Sequence, residues 1–265
     1  MRIVVPIKQV PETRSVKMDE KTGTVIRDGV ESIVNPLDLY AIEAALILKE
    51  RYDAETIAVS MGPPQAASAL KEALAMGIDS AVLVSDRAFA GSDTWATAYV
   101  LAEAVKTLGD IDLIICGERA TDGDTGQVGP EMAAYLEMPL GTYVNGVQDY
   151  TDGKLTFNRL VEHGEETVSM ELPGLLTVVK EVSDPRLPTL NGKIRARETE
   201  MPVLTFDDMK LDVKLLGLKG SPTRVVKIFR PKVTRECEMQ TAEDEAAVAK
   251  SADRLYSFLQ EREVI

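Results

Sequence analysis

The sequence predicts an α/β fold, a doubly wound and mostly parallel sheet covered by helices on both faces, so that three layers result. The main observation is that short, almost continuously apolar runs alternate with longer helical stretches through the first 140 residues. A second is the length of 265 residues, which accommodates one domain of about 200 residues and an appendage. Alternation of this kind implies parallel strands, because each crossover helix returns the chain to the same end of the sheet.

Four apolar runs are the predicted central strands. Strands that are buried on both faces of a sheet have no polar face, so their sequences are nearly unbroken apolar runs. The runs are Ile3–Ile7, Ile57–Met61, Ala81–Val84 and Leu113–Cys116. One further core strand is predicted later in the chain, at Leu175–Val179.

Helices are predicted between these strands from their start and stop signals. The first begins at Asn35, a preferred N-cap residue, with Pro36 at the first helical position. The second ends at Gly77, because glycine readily forms the C-terminal cap. The third begins near Ser92-Asp93, and the fourth follows a glycine-rich loop at Thr121–Gly129.

Two antiparallel hairpins are predicted beside the parallel strands. Val16–Arg27 contains a turn sequence between two β-prone stretches. Val144–Tyr150 and Leu155–Leu160 flank Asp152-Gly153, a dipeptide that short hairpin loops favour. The second hairpin is therefore expected to extend the sheet.

The chain is divided into an α/β domain, residues 1–205, and a C-terminal arm, residues 206–265. From Lys180 to Glu200 the sequence is polar and interrupted by proline, so no regular element is predicted there. The arm has one strong signal, an amphipathic helix at Glu243–Gln260. Because such an arm buries little apolar surface alone, we expect it to pack on a partner or back on the domain.

Composition excludes several classes of function. The net charge of −13 argues against nucleic acid and anionic membrane as partners, since both need a positive surface. No run approaches the roughly 20 apolar residues of a membrane helix, and the N-terminal run is too short for a signal peptide. A cytoplasmic protein without membrane insertion is expected. The sequence has two distant cysteines, Cys116 and Cys237, and a single histidine, His163. We therefore expect no metal site and no catalytic histidine or cysteine.

A ligand is expected beyond the carboxyl ends of the parallel strands, where loops meet helix N-termini. The loop from Gly117 to Gly129 is the most informative, because its glycines and threonines suit a backbone that cradles phosphate. It matches neither the Walker loop nor the dinucleotide fingerprint. Asp122 or Asp124 should turn outward, leaving Thr125 and backbone donors to bind. A glycine-rich turn without ligand and a divalent-metal site remain alternatives.

Other candidates also have structural explanations. Ser92-Asp93-Thr94 could contact a ligand or form an ordinary helix N-cap. Cys116 is expected to be a small core residue, and His163 a surface turn residue.

Seven segments, in this order, resemble the beta subunit of electron-transfer flavoproteins. They are RIVVPIKQVPET, TGTVIRDGV, NPLDLYAIEAAL, VSMGPPQA, ALAMGID, ATDGDTGQVGP and SDPRLPTL, and the resemblance covers roughly residues 1–230. It implies a Rossmann-like, adenine-nucleotide-binding domain, with FAD or AMP as cofactor, in a heterodimer with a larger alpha subunit that holds its own FAD.

Carried over by position, the resemblance implies a set of nucleotide contacts. They are Pro6, Asn35, Ser60, Met61, Gly62, Thr121, Asp122, Gly123, Asp124, Thr125, Gly126, Gln127, Val128 and Gly129. The segment with Ser92, Asp93, Thr94 and Thr97 resembles the SDT-x-AT segment of electron-bifurcating members, where it could line a flavin ring. Gly126 stands where many of these members have alanine, a departure that only loosens the turn.

The function implied is bifurcation: NADH gives a hydride to the beta-site FAD, and the two electrons then separate. One goes to ferredoxin or flavodoxin, and the other passes through the alpha-subunit FAD to a flavin-dependent dehydrogenase of the acyl-CoA or 2-hydroxyacid type. Residues 181–191 resemble the family's partner-recognition loop, with Leu190 at the anchoring leucine, and the arm is expected to pack on the alpha subunit.

Two alternatives are kept. A non-bifurcating carrier would bind AMP as a structural nucleotide. A universal-stress-type signalling protein would share the sheet, but its G-x2-G-x9-G-[ST] phosphate loop is missing from this sequence.

Overall fold

The computed structural model describes residues 1–12, 32–226 and 238–264, together with the backbone of residues 17–18 and 25–26. The chain forms two compact units, Met1–Lys227 and Ile228–Ile265. The cavity and the loops considered below all belong to the first unit.

The first unit is built on a nine-stranded sheet. The strands and helices of its first half are β1 (Arg2–Pro6), β2 (Gln9–Pro11), β3 (Lys17–Met18), β4 (Val25–Ile26), β5 (Ser32–Val34), α1 (Pro36–Tyr52), β6 (Glu55–Met61), α2 (Ala67–Met76), β7 (Ser80–Val84), α3 (Thr94–Thr107) and β8 (Leu113–Gly117). The second half has α4 (Val128–Leu136), β9 (Leu140–Thr151), β10 (Lys154–Val161), β11 (Gly164–Glu171), β12 (Gly174–Val178), α5 (Leu190–Glu198), β13 (Val203–Leu204) and α6 (Gly217–Gly220).

The order of strands in the sheet is β11-β10-β9-β12-β8-β1-β6-β7-β13. Every neighbouring pair from β9 across to β13 is parallel, whereas β9, β10 and β11 form an antiparallel meander at one edge. The predicted α/β class with a mostly parallel sheet and an antiparallel extension is therefore confirmed.

Side chains of the central strands alternate between two apolar layers. Ile3 and Val5 of β1 pack with α1, α2 and Ala196 of α5, while Val4 packs on the other face with α3 and α4. This is why the strand sequences are apolar without interruption, and it confirms the three layers. Each of the predicted central strands is present, with boundaries within two residues of the prediction.

Both predicted hairpins have antiparallel pairing. Thr151 and Lys154 pair at the Asp152-Gly153 turn. In the N-terminal hairpin Lys17 pairs with Ile26 and Met18 with Val25, and its other residues lie outside the described ones. His163 is in the turn before β11, as expected.

Several elements differ from the sequence-based expectation. The polar stretch from Lys180 to Glu200 was expected to be irregular, yet it contains α5. Strands β2, β5, β11 and β13 were not predicted. Residues 206–226, assigned to the arm, contribute Met209 and Leu216 to the apolar layer that contains α3, because these side chains are buried there.

The second unit contains α7 (Glu245–Glu261), close to the predicted helix. Asp244 caps this helix by accepting a hydrogen bond from the Ala247 amide at 2.7 Å. No described helix of either unit is long and apolar enough to cross a membrane.

Candidate functional site

A cavity of about 1290 Å³ lies at the carboxyl ends of β1, β6, β7 and β8. This is where an open parallel sheet is expected to bind ligands. The predicted residues that line it are Pro6, Met61, Gly62, Ser92, Asp93, Thr94, Thr97, Gly123, Thr125, Gly126, Gln127, Val128 and Gly129. The structure thus brings together residues from four separate loops.

Five predicted contacts are not on the cavity wall: Asn35, Ser60, Thr121, Asp122 and Asp124. Asn35 and Ser60 are fully buried behind it. The Ser60 hydroxyl has no hydrogen-bond partner among the described residues. The three loop residues are exposed and are not part of the cavity wall.

Asn35 holds the glycine loop in place. It occupies the N-cap position of α1, but its side chain makes no capping bond, so the predicted capping role is wrong. Instead, Nδ2 donates to the Arg119 carbonyl at 2.9 Å, and Oδ1 accepts from the Thr121 amide at 3.1 Å. An amide side chain offers a donor and an acceptor together, so it can pair with the loop backbone as a neighbouring strand would.

The charged side chains of the loop neutralise one another. Lys8 Nζ lies 2.7 Å from Asp122 Oδ1, and Arg119 Nε lies 2.9 Å from Asp124 Oδ1. Asp124 and Gly126 both have positive φ, 54° and 64°, which turns the chain sharply into α4. The two aspartates are not on the cavity wall, whereas Gly123, Thr125 and Gly126 of the same loop are.

The first turn of α4 forms the wall next to the loop. Val128 and Gly129 line the cavity, and their amides have no partners within the helix, as at any helix N-terminus. A Cβ atom at Gly129 would lie 2.8 Å from Thr177 Cγ2. Glycine therefore allows the helix to begin this close to the strand ends. Amides and the helix dipole together favour an anion at this place.

Asp38 is a buried carboxyl on the cavity wall. It accepts a hydrogen bond from the Lys8 amide at 2.7 Å and so fixes the chain after β1. Burial raises the pKa of Asp38 to about 7, although this hydrogen bond opposes the shift. Burial, with the charge of Asp38, also raises the pKa of the neighbouring Cys116 thiol. Cys116 is a buried core residue that stays protonated, so it is unsuited to act as a nucleophile.

Asp93 caps α3 and fastens a distant segment to the cavity rim. Its carboxylate accepts from the Ala96 amide at 3.1 Å and from the amide and hydroxyl of Thr223 at 2.9 and 2.7 Å. Its own amide donates to Ser221 Oγ at 2.8 Å. Partial burial opposes ionisation, but these hydrogen bonds outweigh it and lower the pKa of Asp93. The capping interpretation of this segment therefore holds, and Thr223 joins the wall.

Two other predicted side chains already have partners. The Ser92 hydroxyl donates to the Phe89 carbonyl at 2.8 Å. Thr94 Oγ1 lies 3.2 Å from Gln127 Oε1 and from Glu131 Oε1, which ties α3 to α4 across the mouth of the cavity.

Sequence reasoning missed other wall residues, among them the charged Lys8, Asp38 and Arg87 and the polar Thr223. Lys8 and Arg87 each follow a predicted strand, so their positions carried a usable signal. Thr223 carried none, because it comes 130 residues after Asp93 in the chain.

Leu190, the predicted docking residue, lies outside the cavity as the first residue of α5. It is 75% exposed, and Leu187 nearby is 86% exposed. Arg186, between Asp184 and Leu187, makes a bidentate ion pair with Glu43 of α1, whose side chain is only 7% exposed. The loop is therefore fixed to the body while its leucines face solvent.

The described residues contain no group of three or more histidine, cysteine, aspartate or glutamate side chains that could hold a metal ion. The metal alternative for Asp122-Gly123-Asp124 receives no support from the geometry, since both carboxylates are paired with cations.

The chain matches the family model of the electron transfer flavoprotein domain over residues 22–209. It is 46% identical over 266 residues to the caffeyl-CoA reductase-Etf complex subunit CarD of Acetobacterium woodii, with 100% of both chains covered. It is 46% identical over 258 residues to an electron transfer flavoprotein subunit beta of Thermoanaerobacterium thermosaccharolyticum, covering 97% of this chain and 98% of the relative. It is 38% identical over 262 residues to the acryloyl-CoA reductase electron transfer subunit gamma of Anaerotignum propionicum, covering 96% and 98%.

Proposed function

Since the chain belongs to the electron transfer flavoprotein family, as a beta-type subunit of electron-transfer complexes, we propose that it binds FAD in its cavity and serves in NADH-dependent bifurcation. When bound, FAD can accept a hydride and release its two electrons one at a time. The proposed acceptors are ferredoxin or flavodoxin and, through the FAD of an alpha subunit, a flavin-dependent dehydrogenase of the acyl-CoA or 2-hydroxyacid type. A cytoplasmic location is part of the proposal.

The extent of the cavity is the observation that carries the proposal. Its volume of about 1290 Å³ exceeds the roughly 300–1,000 Å³ that is usual for small-molecule pockets. Its walls extend from the glycine loop to Ser92 and Thr97 at the start of α3. A mononucleotide held at the glycine loop would leave the α3 side unfilled, whereas FAD has a ring system that can occupy it.

The residues present fit a dinucleotide. The amides of Val128 and Gly129 and the hydroxyl of Thr125 can bind a pyrophosphate, and Asn35 holds the loop that presents them. Apolar side chains of the wall, such as Met61 and Phe89, can exclude water from a bound ring. The chain would thereby orient the cofactor, and its own residues would need to supply no acid–base chemistry.

Leu190 and the loop before α5 are the proposed docking site for the dehydrogenase. An exposed leucine on a rigid support is a typical interface anchor, because little conformational entropy is lost when it enters a pocket. The ion pair between Arg186 and Glu43 provides that support.

The C-terminal arm is proposed to pack on the alpha subunit. Its helix α7 has no buried residue within its own unit, and Val248, Leu255 and Phe258 are exposed there. An apolar helix face of this kind is stable in water only when something covers it.

The first experiment is to release and count the nucleotides of the co-purified heterodimer. Two FAD and no AMP per heterodimer are expected. One FAD with one AMP would overturn the bifurcation proposal and leave a structural nucleotide.

A pair of variants at one wall position sharpens this result. Thr97→Phe should crowd the α3 side of the cavity and reduce the content to one FAD per heterodimer, while Thr97→Val, of nearly the same shape, should retain two. Full FAD content in Thr97→Phe would show that the ring does not lie against α3.

A further inference from the structure

Among the residues that the structure describes, three cationic side chains line the cavity: Lys8, Arg87 and Arg119. Lys8 and Arg119 are each paired with an aspartate of the glycine loop, at 2.7 and 2.9 Å. Their charges are thus largely neutralised before any ligand binds. In a chain with a net charge of −13, an anionic ligand needs a local positive charge to overcome the repulsion of the rest of the surface.

Arg87 is the remaining cation, and it makes no ion pair with any residue that the structure describes. Its neighbour Asp86 is fully engaged elsewhere, because one carboxylate oxygen accepts from the Ala88 amide at 2.8 Å and the other from the Phe206 amide at 3.2 Å. The guanidinium is exposed at the cavity wall and is free to bind an anion with up to five N–H donors.

Arg87 is well separated from the glycine loop. Arg87 follows β7 and the glycine loop follows β8, and three strand intervals lie between them in the order β8-β1-β6-β7. With neighbouring strands roughly 4.8 Å apart, the strands that carry the two positions are about 14 Å apart. Arg87 is therefore a cation separate from the helix N-terminus that follows the glycine loop, and the cavity can offer it to a second anion.

We propose that Arg87 binds the pyrophosphate of the hydride donor, a nicotinamide dinucleotide, while the glycine loop binds that of FAD. The inference rests on the proposed function and adds the position of the second nucleotide. A donor anchored at Arg87 would share the middle of the cavity with the ring of FAD, where hydride transfer requires the two rings to meet. Arginine suits this role, because its planar group binds phosphate oxygens in pairs.

The test uses the co-purified heterodimer with Arg87→Ala and Arg87→Lys. Lys106→Ala is the matched control, since it removes the same charge from the far end of α3, where Lys106 pairs with Glu103. Three quantities are measured for each: FAD content, KM and kcat for NADH with an artificial electron acceptor, and the Kd of ADP-ribose by calorimetry. ADP-ribose carries the pyrophosphate but no nicotinamide, so its binding is independent of turnover.

Arg87→Ala should raise both the KM for NADH and the Kd of ADP-ribose by roughly 10- to 100-fold, the factor typical of a charge-assisted hydrogen-bond pair. Arg87→Lys should show a smaller increase, and Lys106→Ala none. FAD content should be unchanged in all three. Unchanged ADP-ribose binding in Arg87→Ala would overturn the inference, and loss of FAD in that variant would assign Arg87 to the flavin's own phosphates.

Failure of the proposed function gives a different result. A wild-type heterodimer with one FAD and one AMP would refute bifurcation, yet ADP-ribose binding that depends on Arg87 would still support the second anion point. If wild-type protein of either composition fails to bind ADP-ribose, the inference is wrong.

Discussion

Replacing Asp38 with asparagine should stabilise the protein, and more so at high pH than at low pH. Asp38 is buried, and its pKa rises from 3.8 to about 7. A carboxyl whose pKa is raised by folding destabilises the folded state wherever it must ionise, so stability falls as the pH rises from about 4 to 7. Asparagine keeps an oxygen to accept the Lys8 amide but carries no charge.

The magnitude follows from the two pKa values. Linkage at about 1.36 kcal/mol per pKa unit means that Asp38 lowers the free energy of unfolding by about 4 kcal/mol at pH 8 and by about 2 kcal/mol at pH 5. The free energy of unfolding of Asp38→Asn should exceed that of wild type at both pH values. This excess should be roughly 2–3 kcal/mol larger at pH 8 than at pH 5. Contributions of residues that do not interact with Asp38 are the same in both proteins and cancel in the difference.

Urea unfolding of both heterodimers at pH 5 and pH 8 measures this quantity. Midpoint differences are compared at equal slope, because a change of slope would indicate a change in cooperativity. A gain that is the same at both pH values would show that Asp38 has an ordinary pKa and would refute the reasoning.

Three further predictions concern the loop and the docking site. Asn35→Ala should lower stability by roughly 1–3 kcal/mol and reduce nucleotide content, because the Arg119 carbonyl and the Thr121 amide lose their side-chain partner; normal content on nucleotide analysis would contradict this. Arg186→Ala should raise the KM for the partner dehydrogenase with unchanged kcat and FAD content, since Glu43 no longer fixes the loop; a fall in kcat alone would argue against positioning. Leu190→Ala should weaken electron delivery to the dehydrogenase with FAD content intact, and loss of FAD would disprove the docking role.

The central fold could be predicted because its signals are local. Strands buried on both faces are apolar throughout, and the helices between them carry their own end signals, such as Gly77 with φ of 133°. Prediction failed for α5, whose sequence is polar and contains Gly192. That helix depends on tertiary contacts: Arg195 donates to the carbonyls of Leu74 and Ile78 at 2.7 Å, and so caps the end of α2. No pattern within α5 reveals this.

The location of the site could be predicted from the sequence, but its hydrogen bonds could not. Loops after parallel strands converge by topology alone, and 13 of the 18 predicted contacts lie on the wall. The role of Asn35 depends on a contact 86 residues away, and that of Asp93 on one 130 residues away. Such bonds follow from the packed structure, so the sequence could indicate a helix cap or a ligand contact at these positions but not these partners.

Helix α1 connects the cavity with the docking loop. Asp38 in its first turn forms part of the cavity wall, and Glu43 and Glu50 further along hold Arg186 of the loop. At 1.5 Å per residue, Glu43 lies only about 8 Å along the axis from Asp38. A single rigid element thus fixes the distance between the proposed flavin and the proposed dehydrogenase contact. Because the two ends use different side chains, substitutions at Arg186 should change docking and leave cofactor binding intact.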